Sequence, residues 1–268
     1  NKIRITVKRD KGAGSQAIHR WNIQDKITIS GPFGDATLKG TSNAIHFISA
    51  GIGITPTVAK LHALAQDQPN TSIQITHVAR SRSELALWSD VIELSKKLPH
   101  VILNLHLTAN ASFEKGCLAG RPDPRMIAKT AKSANADVHI CGPTAFINEM
   151  TKALAEVKVT HEKIYIDRFN SSDVKTEMRP ISKTGPTKVT FTRSGITDYW
   201  YPEDGTLLDF AEARGAIIQS HCRAGLCKTC LCKILNGVAT RLVGLEGDDE
   251  IQTLLCSSIP SQDLTLDM

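Results

Sequence analysis

Four cysteines in the last third of the chain constrain its fold more than any other feature. They stand as C-x4-C-x2-C followed by one distant cysteine: Cys222, Cys227, Cys230 and Cys256. Two irons bridged by two sulfides need four thiolates, and this spacing is typical of a [2Fe–2S] site. Gly225 suits a loop that winds tightly around a cluster, because glycine reaches backbone angles that other residues avoid. The spacing therefore predicts a [2Fe–2S] cluster held by these four residues.

Zinc and disulfide sites are the alternatives for such a group of cysteines. Zinc sites usually repeat C-x2-C twice, whereas this chain contains the pair once. The other three of the seven cysteines are scattered, which argues against a disulfide framework and fits a reducing compartment. Cys232 lies two residues past Cys230 on a predicted strand, and we interpret it as packing and not as a ligand.

Length and charge indicate more than one domain. The 268 residues exceed one module of about 100 residues, which favours two or three domains. Residues 187–268 contain 7 Lys or Arg and 11 Asp or Glu, a net charge of −4, whereas the rest of the chain carries +9. A basic body suits a phosphate-rich cofactor or docking to the acidic part. Its positive residues form no run and aromatic residues total 5%, so nucleic acid is not the predicted partner.

The sequence also bears on location. No apolar stretch reaches the ~20 residues needed to cross a bilayer, and the start of the chain shows no secretory signal pattern. Together with the cysteine usage, this leads us to expect a cytoplasmic protein without a membrane span.

The pattern of a parallel sheet begins near residue 44. Residues 44–50 form a continuous apolar run, as expected for a strand buried on both faces, and lead through a glycine turn into a helix over 57–66. Strand, glycine turn and helix present backbone amides to a pyrophosphate. The turn comprises Gly51, Ile52, Gly53, Ile54, Thr55 and Pro56, in which proline suits the first turn of a helix.

Further strands and helices alternate along the next hundred residues. Strands are predicted at 72–78, 101–108, 137–140 and 163–169, and helices at 84–98, 123–134 and 144–157. Two groups follow predicted strands at their carboxyl ends, where ligands of open α/β sheets bind: Arg80, Ser81 and Arg82, and then Cys141, Gly142 and Pro143. A solvated loop is the alternative for the arginines, and inert packing is the alternative for Cys141.

The two ends of this sheet region differ in character. Residues 1–40 predict β structure, with strands at 2–8 and 25–30 and a short helix beginning at Ser15, where exposed N–H groups suit a phosphate or a simple cap. Residues 170–186 are rich in Ser, Lys, Thr and Pro and predict a linker. Another strand at 188–192 and a helix at 207–214 precede the cysteine loop.

Taken together, these motifs resemble the ferredoxin–NADP reductase superfamily, specifically the phthalate dioxygenase reductase type. The resemblance implies the C-terminal part of a flavin-binding β-barrel at 1–40, an NAD(P)-binding domain at 41–169, a linker at 170–186 and a β-grasp, plant-type ferredoxin domain at 187–268. The expected fold class is α/β plus α+β: a partial antiparallel barrel, a parallel sheet and a β-grasp. The family signature R-x-Y-S is absent from the sequence, so we expect the first half of the barrel to lie upstream of residue 1.

The resemblance also implies functional residues. Gly14, Ser15 and Gln16 are similar to a flavin-phosphate segment, and Gly31-Pro32-Phe33-Gly34 is similar to the end of a flavin barrel that uses FAD, although the phthalate reductase type uses FMN. Cys141-Gly142-Pro143 resembles the signature whose cysteine lies beside the nicotinamide during hydride transfer. Arg80 and Arg82 could accept the 2′-phosphate of NADPH, but relatives that prefer NADH often carry a similar Arg-Ser pair, and we predict NADH.

The implied function is electron transfer from NAD(P)H through flavin to the [2Fe–2S] cluster and on to a protein acceptor such as an oxygenase component. Hydride delivers two electrons and the cluster accepts one, so a flavin between them is a chemical necessity. Acidic residues of the ferredoxin part are predicted to supply the surface that meets the acceptor, with a solvated face or docking onto the chain's own basic body as the alternatives: Asp198, Glu203, Asp204, Glu246, Asp248, Asp249 and Glu250. A non-catalytic electron carrier, with the rest of the chain as a docking scaffold, is the alternative.

Overall fold

A computed structural model describes residues 3–29, 37–38, 43–109, 116–169, 185–220, 222–225, 228–242 and 251–268. The chain divides into two compact units, one including Asn1–Ile29 and Ala36–Phe169, the other including Asn170–Met268. Among the described residues, no helix combines the length and the apolar character that crossing a membrane requires.

A six-stranded parallel sheet forms the centre of the first unit. Its strands run in the order β4-β3-β2-β1-β5-β6, and every neighbouring pair is parallel. The chain builds outwards from β1 in one direction and then in the other, so the strand order reverses between β1 and β5; ligands of such sheets bind at this point, outside the carboxyl ends of the strands. The strands are β1 (Ala44–Ala50), β2 (Ser72–Ala79), β3 (Val101–Leu107), β4 (Leu118–Ala119), β5 (Asp137–Cys141) and β6 (Ile164–Asp167).

Helices cover both faces of this sheet. Alternate residues of β1 point to opposite faces, so Phe47 belongs to the core beneath α2 and α3 and Ile48 to the core beneath α4 and α5. Both side chains are fully buried, which explains the continuous apolar run in the sequence. The helices of the unit are α1 (Ala13–Ile18), α2 (Ile54–Asp67), α3 (Trp88–Ser95), α4 (Pro124–Ser133) and α5 (Thr144–Glu156).

Two helices begin elsewhere than the sequence predicts. Helix α2 begins at Ile54 and not at residue 57, because the 3-10 turn Gly51–Gly53 runs directly into it. Helix α3 begins four residues later than predicted. Leu87 adopts a left-handed conformation with φ of 54°, which interrupts a helix, and the residues before it form the short 3-10 turn Arg82–Glu84.

The strands predicted at 2–8 and 25–30 are not formed within residues 3–29, so this part of the prediction was wrong. Ile3 and Ile29 are 77% and 63% exposed, although the sequence pattern predicted strands at both positions. A strand requires a neighbour for its N–H and C=O groups, and none of the described segments pairs with these residues. Gly31, Pro32, Phe33 and Gly34 lie outside the described residues.

The second unit contains a five-stranded mixed sheet in the order β11-β9-β13-β7-β8. Strands β13 and β7 are parallel, whereas the other neighbours are antiparallel, and β10 and β12 form a separate antiparallel pair. The elements are β7 (Thr187–Phe191), β8 (Ile196–Trp200), α6 (Leu207–Ala213), β9 (Leu231–Asn236), β10 (Ala239–Arg241), β11 (Gln252–Leu254), β12 (Ser258–Pro260) and β13 (Leu264–Leu266).

Aromatic side chains fill the core of the second unit. Trp200, Phe191 and Phe210 are fully buried, and the Trp200 Nε1–H donates to the carbonyl oxygen of Gly205 at 3.0 Å. Helix α6 begins with a capping box, in which the Thr206 hydroxyl accepts from the Asp209 N–H and the Asp209 carboxylate accepts from the Thr206 N–H. The buried side chains of Leu207, Leu208 and Phe210 pack α6 into the core of this unit.

Three buried histidines lie on strands of the first unit. His46 Nε2 contacts the Thr76 hydroxyl at 2.9 Å, His77 Nδ1 contacts the Ser49 hydroxyl at 2.8 Å, and His139 stacks on Tyr165 with ring centroids 4.7 Å apart. Burial lowers the pKa of His46 and of His77 to about 4, and burial together with Lys60 lowers the pKa of His139 to about 3. All three rings are therefore neutral in the folded protein at neutral pH.

These histidines should make the first unit less stable as the pH falls from about 6.5 to 4. In that range the three histidines bind protons in the unfolded chain but stay neutral in the folded chain. Each histidine therefore lowers the free energy of unfolding by up to about 1.4 kcal/mol per pH unit. His139→Phe should flatten the slope of unfolding free energy against pH, measured by denaturant unfolding followed by circular dichroism. Tyr165→Phe is the control, since it keeps the imidazole and a stacked ring. An unchanged slope in His139→Phe would contradict the assignment.

Candidate functional site

The turns after β1 and β5 touch each other at glycines. A Cβ atom added to Gly53 would lie 2.3 Å from the carbonyl oxygen of Cys141 and 2.6 Å from its carbonyl carbon, so only glycine fits there. A Cβ on Gly142 would lie 2.9 Å from Phe146 Cδ1 and 3.1 Å from the Cβ of Ala50. The two sequence motifs are therefore parts of one site.

Gly51 has a different role in the same turn. Its φ of +54° favours glycine, and an added Cβ would meet no atom within 4 Å. The backbone is thus open to a ligand at the start of the turn, where N–H groups of a strand–turn–helix unit face phosphate. Pro56 lies in the first turn of α2 as predicted, and the Thr55 hydroxyl donates to the carbonyl oxygen of Ile52 at 3.2 Å.

A cleft of about 250 Å³ lies at the carboxyl ends of the strands, beside Gly51. Residues from four βα connections and from α5 line it, as expected for a ligand site at the switch point of a parallel sheet. Its lining is Ala50, Gly51, Val78, Ala79, Arg80, Thr108, Arg121, Pro122, Pro143, Ala145, Phe146, Glu149 and Met150. The cleft can therefore hold an elongated ligand across several strands.

The structure separates the predicted arginines. Arg80 lines the cleft, whereas an N–H of the Arg82 guanidinium donates to the Cys117 sulfur at 3.1 Å. The Ser81 hydroxyl contacts that of Ser83 at 2.8 Å and does not line the cleft.

Sequence reasoning missed Arg121 and Phe146 as lining residues. Arg121 follows β4, a strand of two residues that is too short for a periodic signal. Phe146 lies in the first turn of α5, directly after the Cys141-Gly142-Pro143 motif, and that position was the available signal.

Cys141 ends β5 with its side chain buried at 4% exposure. Burial, with a smaller contribution from the Asp167 carboxylate, raises the pKa of the thiol to about 12, while Lys60 opposes this rise. Lys60 Nζ and Asp167 Oδ2 form an almost buried ion pair at 2.8 Å. The thiol therefore stays protonated at neutral pH, a state that does not suit a nucleophile.

The residues predicted for a flavin phosphate bond to their own turn. The Ser15 hydroxyl donates to carbonyl oxygens of Gly12 and Asp10 at 2.9 and 3.0 Å, and the Gln16 amide donates to the carbonyl oxygen of Lys11 at 3.1 Å. Helix α1 begins at Ala13, before the predicted Ser15, and spans six residues. Gly14, Ser15 and Gln16 do not line the cleft, and their flavin role stays a prediction.

In the second unit the structure brings Cys230 and Cys256 together. Both are buried at 4% exposure, and the Cys256 N–H donates to the Cys230 sulfur at 3.5 Å. The Cys256 thiol and nearby backbone N–H groups stabilise negative charge on Cys230 and lower its pKa. Such donors suit thiolate sulfurs that bind iron.

The cysteine loop approaches Cys256 closely. The Gly225 N–H donates to the Cys256 sulfur at 3.2 Å. Gly225 has φ of +71°, and an added Cβ would lie 2.8 Å from the Ser257 hydroxyl oxygen, which confirms why glycine stands there. Cys222 lies on this loop, half-buried, whereas Cys227 is outside the described residues. Among the residues that are described, no three His, Cys, Asp or Glu side chains are grouped to hold a metal ion, so the four-ligand set stays a prediction.

Cys232 is buried on β9, and its thiol faces backbone carbonyl oxygens of Lys233 and Asp267 at 3.6 and 3.7 Å. Burial raises its pKa to about 11. The side chain is therefore a neutral packing group in this arrangement.

Cys232→Ser should retain the [2Fe–2S] cluster, because the hydroxyl can donate to the same carbonyl oxygens and no ligand is removed. The visible absorption and electron paramagnetic resonance of the reduced cluster, measured on the full chain, check this. Cys230→Ser is the matched variant that should lose or alter both signals. Loss of the cluster in Cys232→Ser alone would exchange the assigned roles of the two cysteines.

Two family models match these two units. Residues 47–152 match the oxidoreductase NAD-binding domain, which includes the glycine turn and Cys141. Residues 196–261 match the 2Fe-2S iron-sulfur cluster binding domain, which includes all four predicted ligands.

Relatives of known function extend these matches. A component of 1,2-phenylacetyl-CoA epoxidase from Escherichia coli K12 is 24% identical over 88% of this chain and 69% of its own length. The NADH oxidoreductase HCR of the same organism is 25% identical over 98% of this chain and 79% of its own length. Flavohemoproteins also match, for example one from Bacillus subtilis at 30% identity over 62% of this chain and 43% of its own length.

Two solved structures share the fold. A type IV self-sufficient cytochrome P450 monooxygenase aligns with a TM-score of 0.72 at 22% identity, over 98% of this chain and 32% of that chain. Phthalate dioxygenase reductase aligns with a TM-score of 0.51 at 19% identity, over 98% of this chain and 78% of that chain. The chain thus spans about a third of the P450 protein and most of the reductase.

The chain is an oxidoreductase with an NAD-binding domain followed by a C-terminal [2Fe–2S] domain. The two domains occur in the order that the predicted resemblance to the ferredoxin–NADP reductase superfamily requires, and phthalate dioxygenase reductase shares the fold. The two family models support the predicted nicotinamide dinucleotide and [2Fe–2S] cluster, and the flavohemoproteins among the relatives support a flavin; FAD as against FMN stays a prediction. The preference for NADH over NADPH stays a prediction.

Proposed function

We propose that this chain is the reductase part of an electron-transfer system, which takes electrons from NADH and delivers them to a protein acceptor in the cytoplasm. The contact between Gly53 and the Cys141 carbonyl carries the proposal, because it joins the dinucleotide-binding turn to the cysteine expected beside the nicotinamide. The presence of an NAD-binding domain and a [2Fe–2S] domain in one chain supports it.

The residues of the first unit would act by binding and positioning. The open backbone at Gly51 would hold the pyrophosphate, and Arg80 would meet the adenosine end of the dinucleotide over β2. The nicotinamide would lie towards β5, where Pro143 and Phe146 line the cleft. The neutral Cys141 thiol would contact the ring without forming a bond to it, and no side chain needs to transfer a proton.

The residues of the second unit would hold the cluster. Cys222, Cys227, Cys230 and Cys256 are the proposed ligands, and backbone N–H groups at Gly225 and Cys256 would stabilise their charge. When bound, flavin and the [2Fe–2S] cluster supply the conversion of a two-electron hydride transfer into single-electron steps.

Anaerobic titration of the flavin-loaded protein with NADH tests the proposal. Flavin absorbance should bleach first and cluster absorbance second. Cys141→Ala should slow flavin bleaching about tenfold or more by loosening the nicotinamide, since small misplacements at a reacting centre have effects of this order. Because the Cys141 pKa is about 12, the wild-type rate should show no titration of this thiol as the pH is raised from about 6 to about 10, which stays well below that value.

A non-catalytic electron carrier is the second candidate. It is favoured by the absence of strand pairing within residues 3–29, the segment expected to contribute to flavin binding. A cluster that is reduced by dithionite and never by NADH in the presence of FAD would support the carrier and overturn the reductase. An NADH oxidation rate that is unchanged in Cys141→Ala would remove only the role of that residue.

The proposed acceptor is an oxygenase component. The similarity to a component of 1,2-phenylacetyl-CoA epoxidase supports this choice, because an epoxidase adds oxygen to its substrate. Two of the predicted docking carboxylates, Asp198 and Asp204, form ion pairs with Arg214 at 2.6 and 3.1 Å. Glu203 is exposed, whereas residues 246–250 lie outside the described residues. Among the described residues, the proposed docking surface therefore centres on Glu203, while Glu246, Asp248, Asp249 and Glu250 stay predictions.

Reduction of the acceptor should slow steeply as salt rises, because screening shortens to about 8 Å at physiological ionic strength. Stopped-flow measurement of acceptor reduction gives this rate, and flavin-to-cluster transfer in the same samples should change much less. Glu203→Gln should weaken the salt dependence, whereas Glu162→Gln, an exposed carboxylate of the first unit, serves as the control. Acceptor reduction that is indifferent to salt would remove the acidic docking surface and leave the reductase standing.

A further inference from the structure

Helix α6 contacts both chain segments that carry the cluster cysteines. On its buried side, Phe210 and Ala211 belong to the same core as Leu255 and Cys256. On its other side, the Glu212 carboxylate accepts from the Arg223 guanidinium at 2.5 Å. Arg223 directly follows Cys222, so one helix fixes the cysteine loop and the distant cysteine relative to each other.

The Arg223 side chain anchors an unfavourable backbone conformation. Arg223 has φ of +53°, a left-handed value that side-chain-bearing residues rarely adopt. Such a conformation persists where surrounding contacts hold it, and here the guanidinium reaches Glu212 and, at 3.9 Å, Asp209. Asp209 is itself held by the capping box with Thr206. The loop is thus tied to the rigid start and the middle of α6.

Two residues further along, at Gly225, the loop contacts Cys256. The Gly225 N–H donates to the Cys256 sulfur, and Ala224 between the two anchors is fully buried. Residues 223–225 therefore have one end fixed to α6 and the other to a cluster cysteine. A substitution of Arg223 would therefore alter the position of the loop at Cys222 and at its contact with Cys256.

We propose that Arg223, through its ion pair with Glu212, positions the cysteine loop and places a positive charge that sets the reduction potential of the [2Fe–2S] cluster. The inference rests on the cluster being bound by the second unit. The position of the charge is fixed by geometry, since the guanidinium lies between Glu212 and Asp209 and Arg223 directly follows Cys222 in the chain. Net charge and nearby donors are the means by which proteins tune such clusters.

The sign of the effect follows from charge. Reduction adds one electron, so a nearby positive charge favours the reduced cluster and a nearby negative charge disfavours it. Arg223→Gln leaves Glu212 uncompensated and should lower the potential. Glu212→Gln leaves Arg223 uncompensated and should raise it. The double variant should return close to the wild-type potential, because both charges are removed.

Potentiometric titration followed by electron paramagnetic resonance measures these shifts on the full chain. We expect a several-fold change in the reduction equilibrium constant for each single variant, in opposite directions. Arg223 is 45% exposed, so the shifts should shrink as salt is raised. Arg193→Gln is the matched control: it breaks an exposed bidentate pair with Asp267, at 2.7 and 2.8 Å, elsewhere in the second unit, and should leave the potential unchanged.

The positioning role has its own readout. Arg223→Gln should lose visible cluster absorbance several-fold faster than wild type in the presence of a chelator, and Arg223→Lys should recover part of the lifetime. The double variant should lose its cluster quickly although its potential is near normal. A short cluster lifetime together with a normal reduction potential would show that the positioning role of Arg223 is separate from the effect of its charge.

Each experimental result bears on one role of Arg223 or on cluster binding itself. Shifts of the same sign in Arg223→Gln and Glu212→Gln, or no shift in either, would overturn the charge role. A chelation rate that is unchanged in Arg223→Gln would overturn the positioning role. If Arg223→Gln binds no cluster, the potential of Glu212→Gln alone decides the charge role. Wild-type protein that binds no cluster would fail the proposed function itself, whereas wild-type protein with a cluster that is indifferent to these variants would fail only this inference.

Discussion

The close approach of Gly53 to the Cys141–Gly142 peptide is the contact on which the first unit depends. A single methyl group at residue 53 would occupy the space of the Cys141 carbonyl, so the turns after β1 and β5 could no longer meet. Those turns begin α2 and α5, which cover opposite faces of the sheet. The contact therefore fixes two helix starts and the mouth of the cleft at once. It also brings Lys60, further along α2, to the end of β6, where it pairs with Asp167.

Periodicity in the sequence predicted most of the parallel sheet because burial on both faces leaves continuous apolar strands. The run at 44–50 and the short apolar segment ending at Cys141 both became central strands with little exposed surface. The predicted strands at 2–8 and 25–30 are not formed within residues 3–29, because an alternating pattern alone does not create a strand. Their alternating pattern states which face would be buried, but pairing partners decide whether a strand forms, and local sequence contains no information about partners.

In the candidate site, too, local patterns could be predicted from the sequence and contacts between distant segments could not. The glycine turn, the Cys141 motif and the cysteine spacing are local patterns, and each was recognisable before any fold was known. Arg121 and the Arg82–Cys117 contact were not, since they depend on distant chain segments, 35 residues apart for Arg82 and Cys117, that meet only in the folded sheet. The ion pair between Arg223 and Glu212 spans 11 residues and joins a loop to a helix, so helical spacing rules could not indicate it.

The position of β13 has a consequence for how the second unit is made. This strand, at residues 264–266, lies in the middle of the mixed sheet, between β9 and β7. Pairs between strands so distant in sequence form late and slowly, because a long loop must close before they contribute. During synthesis, β7 and β9 are made before the strand that lies between them, and all four predicted cluster ligands precede β13 in the chain. The sheet behind the predicted cluster site can therefore be completed only after residue 266 has been made.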